Sequence, residues 1–427
     1  MVLHPREGGS RRGWPGRRRI DRREFLQLTG GAALAAAWLA ACGGTAQPTA
    51  GTGEVLIGSP DNPVTHPILD GNPPIESGLQ PEAGPLRVYN WDQYIYRKVL
   101  NDFGEEMGVE VELTTFYNLE EGIRKLRTGE LAFDVFFPTS EQVPKLVAGG
   151  LFMPLNHDYL PNLSANMWPQ LVDPYYDKGS RYTVPYVVYQ TGIGWRTDMV
   201  PTDIESLDNP WDAFWDPAHQ DVTGLYDDYR ETIGVGLYHN GINNPNARDQ
   251  AQIDQAKQSL IEAAEALNIT YTIDGAYSKL PEGKLGLHNA WSGDLAAAPY
   301  YAPKGEDPTT LRYVWPPKVT DDAVGGYVSN DNMAIPSNSE HPVLAHMFLN
   351  YLMDRKHSMT NFSWLLYQPP LTGLDPEQLV ADGFIIDNLR STLVFEEDYS
   401  LGQIPLQLPP SVDARWLQAW SEVQAGG

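Results

Sequence analysis

Between residues 85 and 150 the apolar positions alternate between a two-residue and a 3.6-residue period. Short apolar runs predict strands at Leu86–Tyr89, Val109–Phe116 and Phe133–Phe137. Helical spacing predicts helices at Tyr94–Met107, Leu119–Leu126 and Ser140–Val147, the last closed by Gly149 and Gly150. Strand and helix taking turns is the rhythm of βαβ units, and hence of an α/β fold. Much later, Leu344, Met347, Phe348, Tyr351 and Leu352 recur at i, i+3, i+4, i+7 and i+8, which is a helix with one buried face.

The first 84 residues follow other rules. Residues 1–24 hold eight arginines and Leu28–Ala41 is an apolar run, the order of a charged and then a hydrophobic region in an export signal. At about 14 residues the run falls short of the roughly 20 that a helix needs to span a bilayer. Asp21-Arg22-Arg23-Glu24-Phe25-Leu26-Gln27 resembles the twin-arginine export consensus, and Leu39-Ala40-Ala41-Cys42 resembles a lipobox. Residues 1–41 are therefore expected to be a cleaved lipoprotein signal peptide. A lipid on Cys42 would hold the protein at the outer face of the cytoplasmic membrane or in the periplasm. Cys42 is the only cysteine, so no intrachain disulfide forms. Residues 42–84, with six prolines between Pro48 and Pro74, read as a flexible tether with a short strand at Val55–Ile57.

Charge narrows the partners. The chain carries 55 acidic against 30 basic residues, for a net charge of −25, and loss of the arginine-rich leader leaves it more acidic still. This argues against nucleic acid and favours accumulation of cations near the surface. A length of 427 residues suggests two domains. There is no Walker loop, G-x-G-x-x-G, H-E-x-x-H or G-x-S-x-G, and the nine histidines lack ligand spacing. Nothing here indicates a cofactor, a metal enzyme or an enzyme of another class.

Seven segments, in order, carry a family likeness: Val88-Tyr89-Asn90-Trp91-Asp92-Gln93-Tyr94-Ile95; Phe133 to Ser140; Val184-Pro185-Tyr186 through Gly192-Ile193-Gly194; Trp211-Asp212-Ala213-Phe214-Trp215; Leu225 to Glu231; Ala290-Trp291-Ser292-Gly293; and Asp331 to Pro336. Over roughly 85–425 the chain resembles the spermidine/putrescine-binding proteins of bacterial ABC importers. The resemblance implies a two-lobed α/β periplasmic-binding-protein (type II, Venus-flytrap) architecture. Lobe 1 would comprise 85–190 plus 323–427 and lobe 2 would comprise 191–322, closing on a polyamine and delivering it to a permease. The receptor is expected to be a monomer.

The same resemblance implies a set of ligand-binding residues. A polyamine needs carboxylates for its ammonium groups and an aromatic wall for the aliphatic chain between them. Trp91, Tyr94 and Trp291 would form the wall, Asp331 would grip an ammonium group, and Tyr367 would add a contact. Asp228 and Glu231 would add acceptors, although Asp-x-x-Glu ahead of an apolar helix is also a capping box. Gln403 and Gln407 are alternatives for a late glutamine. Two departures from the family pattern bear on the ligand: Ser329 stands where a tryptophan is frequent, and Glu141 where an aromatic is. Two other readings stay open, a ferric-iron receptor using Tyr175-Tyr176 or Tyr300-Tyr301, and a secreted hydrolase with paired carboxylates.

Overall fold

The computed structural model describes residues 54–117, 119–129, 132–317 and 325–426. The arginine-rich leader and Cys42 lie outside the described residues. The first elements are β1 (Leu86–Trp91), α1 (Arg97–Met107), β2 (Val111–Phe116), α2 (Leu119–Thr128), β3 (Val135–Phe136) and α3 (Val143–Ala148). β1 pairs in parallel with β2 and with β3. Alternation along β1 sends Leu86 and Val88 into a core with Val99, Phe103 and Phe348, and Tyr89 into another with Phe116, Phe133 and Phe136. A parallel sheet requires both faces to be covered in this way.

The α/β order is as expected, with local shifts that have causes. The first helix begins at Arg97 and not at Tyr94. Gln93 adopts a left-handed φ of 56°, and the Tyr94 carbonyl accepts from Asn90 Nδ2 at 3.2 Å and from the Tyr186 hydroxyl at 2.6 Å, so Tyr94 is held in a loop. The expected Ser140–Val147 helix splits into a 3₁₀ turn, Ser140–Gln142, and α3. Pro144 sits in the first turn of α3, where its missing N–H has no helical partner to lose. Val55–Ile57 forms no strand; a bridge between Ser59 and Asn62 lies just beyond it.

The remaining strands are β4 (Thr183–Arg196), β5 (Thr223–Leu225), β6 (Thr270–Tyr271), β7 (Leu287–Trp291), β8 (Leu311–Val314) and β9 (Tyr327–Ala334). They complete one sheet in the order β2-β1-β3-β9-β4-β7-β5-β6, with β8 also on β4. β4 is fourteen residues long and buried throughout; its first part pairs antiparallel with β9 and its second with β7 and β8. β4 and β9 thus run between a first lobe built on β1–β3 and a second built on β5–β8. The second lobe is filled by α4 (Tyr229–His239) and α5 (Gln250–Leu267), whose Ile233, Leu237 and Leu260 pack with Trp211 and Phe214. α6 (Ser292–Ala297) follows β7, and the chain ends in α7 (Pro342–Leu352), α8 (Arg355–Leu365) and α9 (Pro410–Gly426). Among the described residues no helix is long and apolar enough to cross a membrane.

Two expectations about organisation change. The returning chain was assigned wholly to lobe 1, and α7 does pack there, but Val412, Trp416, Trp420 and Val423 of α9 belong to the second-lobe core. The Arg230 guanidinium on α4 explains the placement: it lies 4.8 Å from the Trp416 ring and donates to the Leu406 carbonyl at 3.1 Å. Residues 54–84, expected within a free tether, are instead fastened along the first lobe. His66 Nε2 bonds the Tyr176 carbonyl at 2.8 Å, and Asn72 Nδ2 donates to the Phe152 carbonyl at 2.8 Å. The Glu82 carboxylate accepts the N–H groups of Val343 and Leu344, at 3.1 and 2.9 Å. Those are first-turn donors of α7, which lack helical acceptors and attract negative charge.

Because Trp416 is fully buried between α9 and the second lobe, Trp416→Ala is expected to lower unfolding free energy by about 3–5 kcal/mol. Denaturant titration checks this, and a loss below about 1 kcal/mol would contradict the packing described.

Candidate functional site

Ligands of open α/β sheets bind beyond the carboxyl ends of the strands, and here those ends converge from both lobes. Tyr94 follows β1, and Thr139, Ser140 and Glu141 follow β3; Asp228 and Glu231 follow β5, Trp291 ends β7, and Asp294 lies within α6. The crossing strands contribute Tyr189 from β4 and Asp331 from β9.

These side chains form a wall of rings set among acids. Ring centroids are 5.0 Å apart for Tyr94 and Tyr367, 6.2 Å for Tyr367 and Tyr189, and 6.5 Å for Tyr189 and Trp291. Trp291 then stacks on Tyr226 at 4.1 Å. Four of these rings also hold an acid. The Tyr94 hydroxyl donates to Asp331 Oδ2 at 2.7 Å, and Trp291 Nε1 donates to Glu231 Oε1 at 2.8 Å. Asp294 accepts from the Tyr367 hydroxyl at 2.7 Å and the Tyr226 hydroxyl at 3.1 Å. The Tyr367 ring lies so close to Gly293 that a Cβ there would sit 2.3 Å from it, which explains glycine at that position.

The acids are taken out of water. Asp331 is 5% exposed and Glu231 9%, and Asp331 Oδ1, Glu231 Oε2 and Glu141 Oε2 are buried without a hydrogen-bond partner among the described residues. Burial raises the Asp331 carboxyl to about 8 against the Tyr94 hydrogen bond, which pulls it down. Burial and then the Asp228 charge raise Glu231 to about 8, and burial raises Asp294 to about 7. Glu141 and Asp228 shift upward for the same first reason. Arg230, the nearest basic residue in sequence, directs its Nη groups to the carbonyls of Leu406 and Pro245 and to Asn246 Oδ1, and among the described residues its buried Nε has no partner. Such a group of buried carboxyls suits a ligand that brings positive charge with its own hydrogen-bond donors.

Of the residues singled out in the sequence, Tyr94, Glu231, Trp291, Asp331 and Tyr367 are brought into this cluster. Asp228 lies at its edge as the N-cap of α4, its Oδ1 accepting the N–H groups of Arg230 and Glu231 at 2.8 and 3.0 Å. The box is half made, because the Glu231 carboxylate turns to Trp291 and to the Thr191 hydroxyl, 3.2 Å away. Trp91 is tied to the first-lobe core, its ring 4.7 Å from Phe116 and its Nε1 donating to the Phe137 carbonyl at 3.2 Å. Gln407 Nε2 bonds the Leu408 carbonyl, and Gln403 serves through its backbone against Gly326 and Val328. The Tyr176 hydroxyl donates to Asn332 Oδ1 and accepts from Asn330 Nδ2, both at 2.7 Å, leaving it poorly placed as an anionic iron ligand. Among the described residues no group of three or more His, Cys, Asp or Glu is arranged to hold a metal. Sequence reasoning missed Tyr189, Tyr226 and Asp294; the available signal for Asp294 was its place three residues after Trp291, in the turn that follows β7.

Residues 98–384 match the family model of bacterial extracellular solute-binding proteins. The chain belongs to that family. This solute-binding protein is 28% identical over 281 residues to a putrescine/cadaverine-binding protein of Pseudomonas aeruginosa, covering 65% of this chain and 76% of that one. It is 26% identical over 271 residues to spermidine/putrescine-binding periplasmic protein 1 of Haemophilus influenzae, covering 63% and 70%. In structure it is similar to the spermidine/putrescine ABC transporter substrate-binding protein PotD of Streptococcus pneumoniae, with a TM-score of 0.63 and 20% identity over 80% of this chain and 98% of that one. The fold is the two-lobed α/β architecture of periplasmic binding proteins.

The raised carboxyls set a pH dependence. Their folded values lie above the ordinary range of about 4, so between about pH 4 and pH 8 the folded protein holds more protons than the unfolded chain, and stability falls as pH rises. The ligand-free melting temperature is expected to drop from about pH 5 to pH 8, with a shallower slope in Asp331→Asn. Equal slopes in the two proteins would contradict the assignment.

Proposed function

We propose that this solute-binding protein captures a polyamine between its lobes and delivers it to the permease of an ABC importer. The observation that carries the reading is Asp331, with Oδ2 fixed by Tyr94 and Oδ1 buried without a partner beside a row of tyrosine and tryptophan rings. An ammonium group answers the carboxylate with a charge-assisted hydrogen bond. The rings pack the methylene chain and attract its cationic ends, each worth about 0.5–2 kcal/mol. The names of the relatives point to the same ligand class.

The reading extends to how the receptor is held. Twin-arginine export followed by lipidation of Cys42 would place a monomer at the outer face of the cytoplasmic membrane. Its acidic body would concentrate amines there. Asp228 and Trp91 belong to this proposal as ligand contacts.

Calorimetric titration of the exported body with diamines, polyamines, basic amino acids and sugars tests it. Amines are expected to bind one to one. Asp331→Asn is expected to weaken them by 2–5 kcal/mol, roughly 30-fold to several thousand-fold, because the partner ammonium is left buried and unpaired. Failure of the wild-type protein to bind any amine would overturn the function, and full affinity in the variant would overturn the site.

A further inference from the structure

Glu141 lies in the turn after β3, next to a residue that is tied to β9. The Ser140 and Ser329 hydroxyls are 3.1 Å apart, and Thr139 forms a backbone bridge with Asp331. The turn after β3 is thereby fastened to β9.

That carboxylate is built in. The Thr139 hydroxyl donates to Glu141 Oε1 at 2.7 Å, which fixes the group, while Oε2 is buried with no partner among the described residues. The charged groups it feels are Arg230 and Asp228 from the second lobe. Asp331 and Glu231 in turn feel Glu141. Among the described residues Arg230 makes no hydrogen bond to it: its Nη groups donate to Leu406, Pro245 and Asn246, and its Nε has no partner. Among the described residues the cleft presents three buried carboxylate oxygens without a hydrogen-bond partner: Asp331 Oδ1, Glu231 Oε2 and Glu141 Oε2. A diamine supplies cations for two of them. The third acid must then stay protonated or be buried as an unpaired charge, and either lowers the gain from closing the cleft.

We infer that Glu141, held beside the Ser140–Ser329 pair, forms a third cationic subsite that makes this cleft select a triamine over a diamine. The inference rests on the polyamine reading above. Glu141 acts on the ligand directly, so its removal changes the ranking of ligands, whereas a purely structural role would weaken both alike.

The test measures the affinities of spermidine and putrescine by calorimetry for the wild-type protein, Glu141→Gln and Glu141→Asp. The wild-type protein is expected to bind spermidine at least about tenfold more tightly than putrescine, the scale of one well-made charged contact. Glu141→Gln is expected to shrink that ratio by about fivefold or more, and Glu141→Asp, which keeps the charge, to preserve more of it than Gln does. A ratio that changes less than about fivefold in Glu141→Gln overturns the subsite while leaving polyamine binding intact. A wild-type protein that binds neither amine overturns both. If Glu141→Gln does not fold, the Asp variant and the wild-type ratio still decide: a wild-type preference for putrescine contradicts the inference.

Discussion

A carboxyl group moved out of water keeps its proton until something else supplies what the solvent did, and this exchange governs the cleft. Asp331 and Glu231 are raised to about 8 by burial, and Asp294 to about 7. Tyrosine and tryptophan donors hold both oxygens of Asp294 but one oxygen each of Asp331 and Glu231, whose other oxygens have no partner among the described residues. An ammonium group brings both the charge and the donors that complete them. In the proposed reading the site holds potential charge in reserve, to be released when a cation of the right spacing replaces the protons. Neutral ligands, such as sugars, do not offer that exchange.

The fold makes the exchange depend on both lobes. β4 and β9 run through the sheet from one lobe to the other, and they carry Tyr189 and Asp331 at the crossing. Tyr94 and Glu141 arrive from strand ends of the first lobe, and Glu231, Trp291 and Asp294 from strand ends of the second. The Tyr367 hydroxyl, from the first-lobe core, reaches Asp294 in the second. A ligand shifts an open–closed equilibrium only through contacts that differ between the two states. A cation bridging acids on opposite lobes meets that condition, and one held by a single lobe does not.

Much of this was legible in the sequence where local patterning dominates. The βαβ start, the buried face of α7 and the order of the motif segments were readable because each rests on short-range periodicity or spacing. The docking of residues 54–84 was not, because proline-rich composition suggests a tether and the contacts that fasten it are hydrogen bonds to residues between 80 and 262 positions away. The placement of α9 in the second lobe was hidden for a similar reason, since its partner is Arg230, reached only through folding. Within the site, Tyr94 and Asp331 stood out by motif, whereas Tyr189 lay in a strand too uniformly buried for one residue to be distinguished. Asp228 shows the opposite case: its spacing suggested a cap, and the cap is made.

The central claim is that a cation replaces protons on buried acids. Titrating the protein with a polyamine near neutral pH, in buffers of different ionisation enthalpy, counts the protons exchanged on binding. Groups with values near about 7–8 that become ionised in the complex predict release of about one proton or more per ligand, decreasing above about pH 9. Binding with no release of protons at neutral pH would contradict the account.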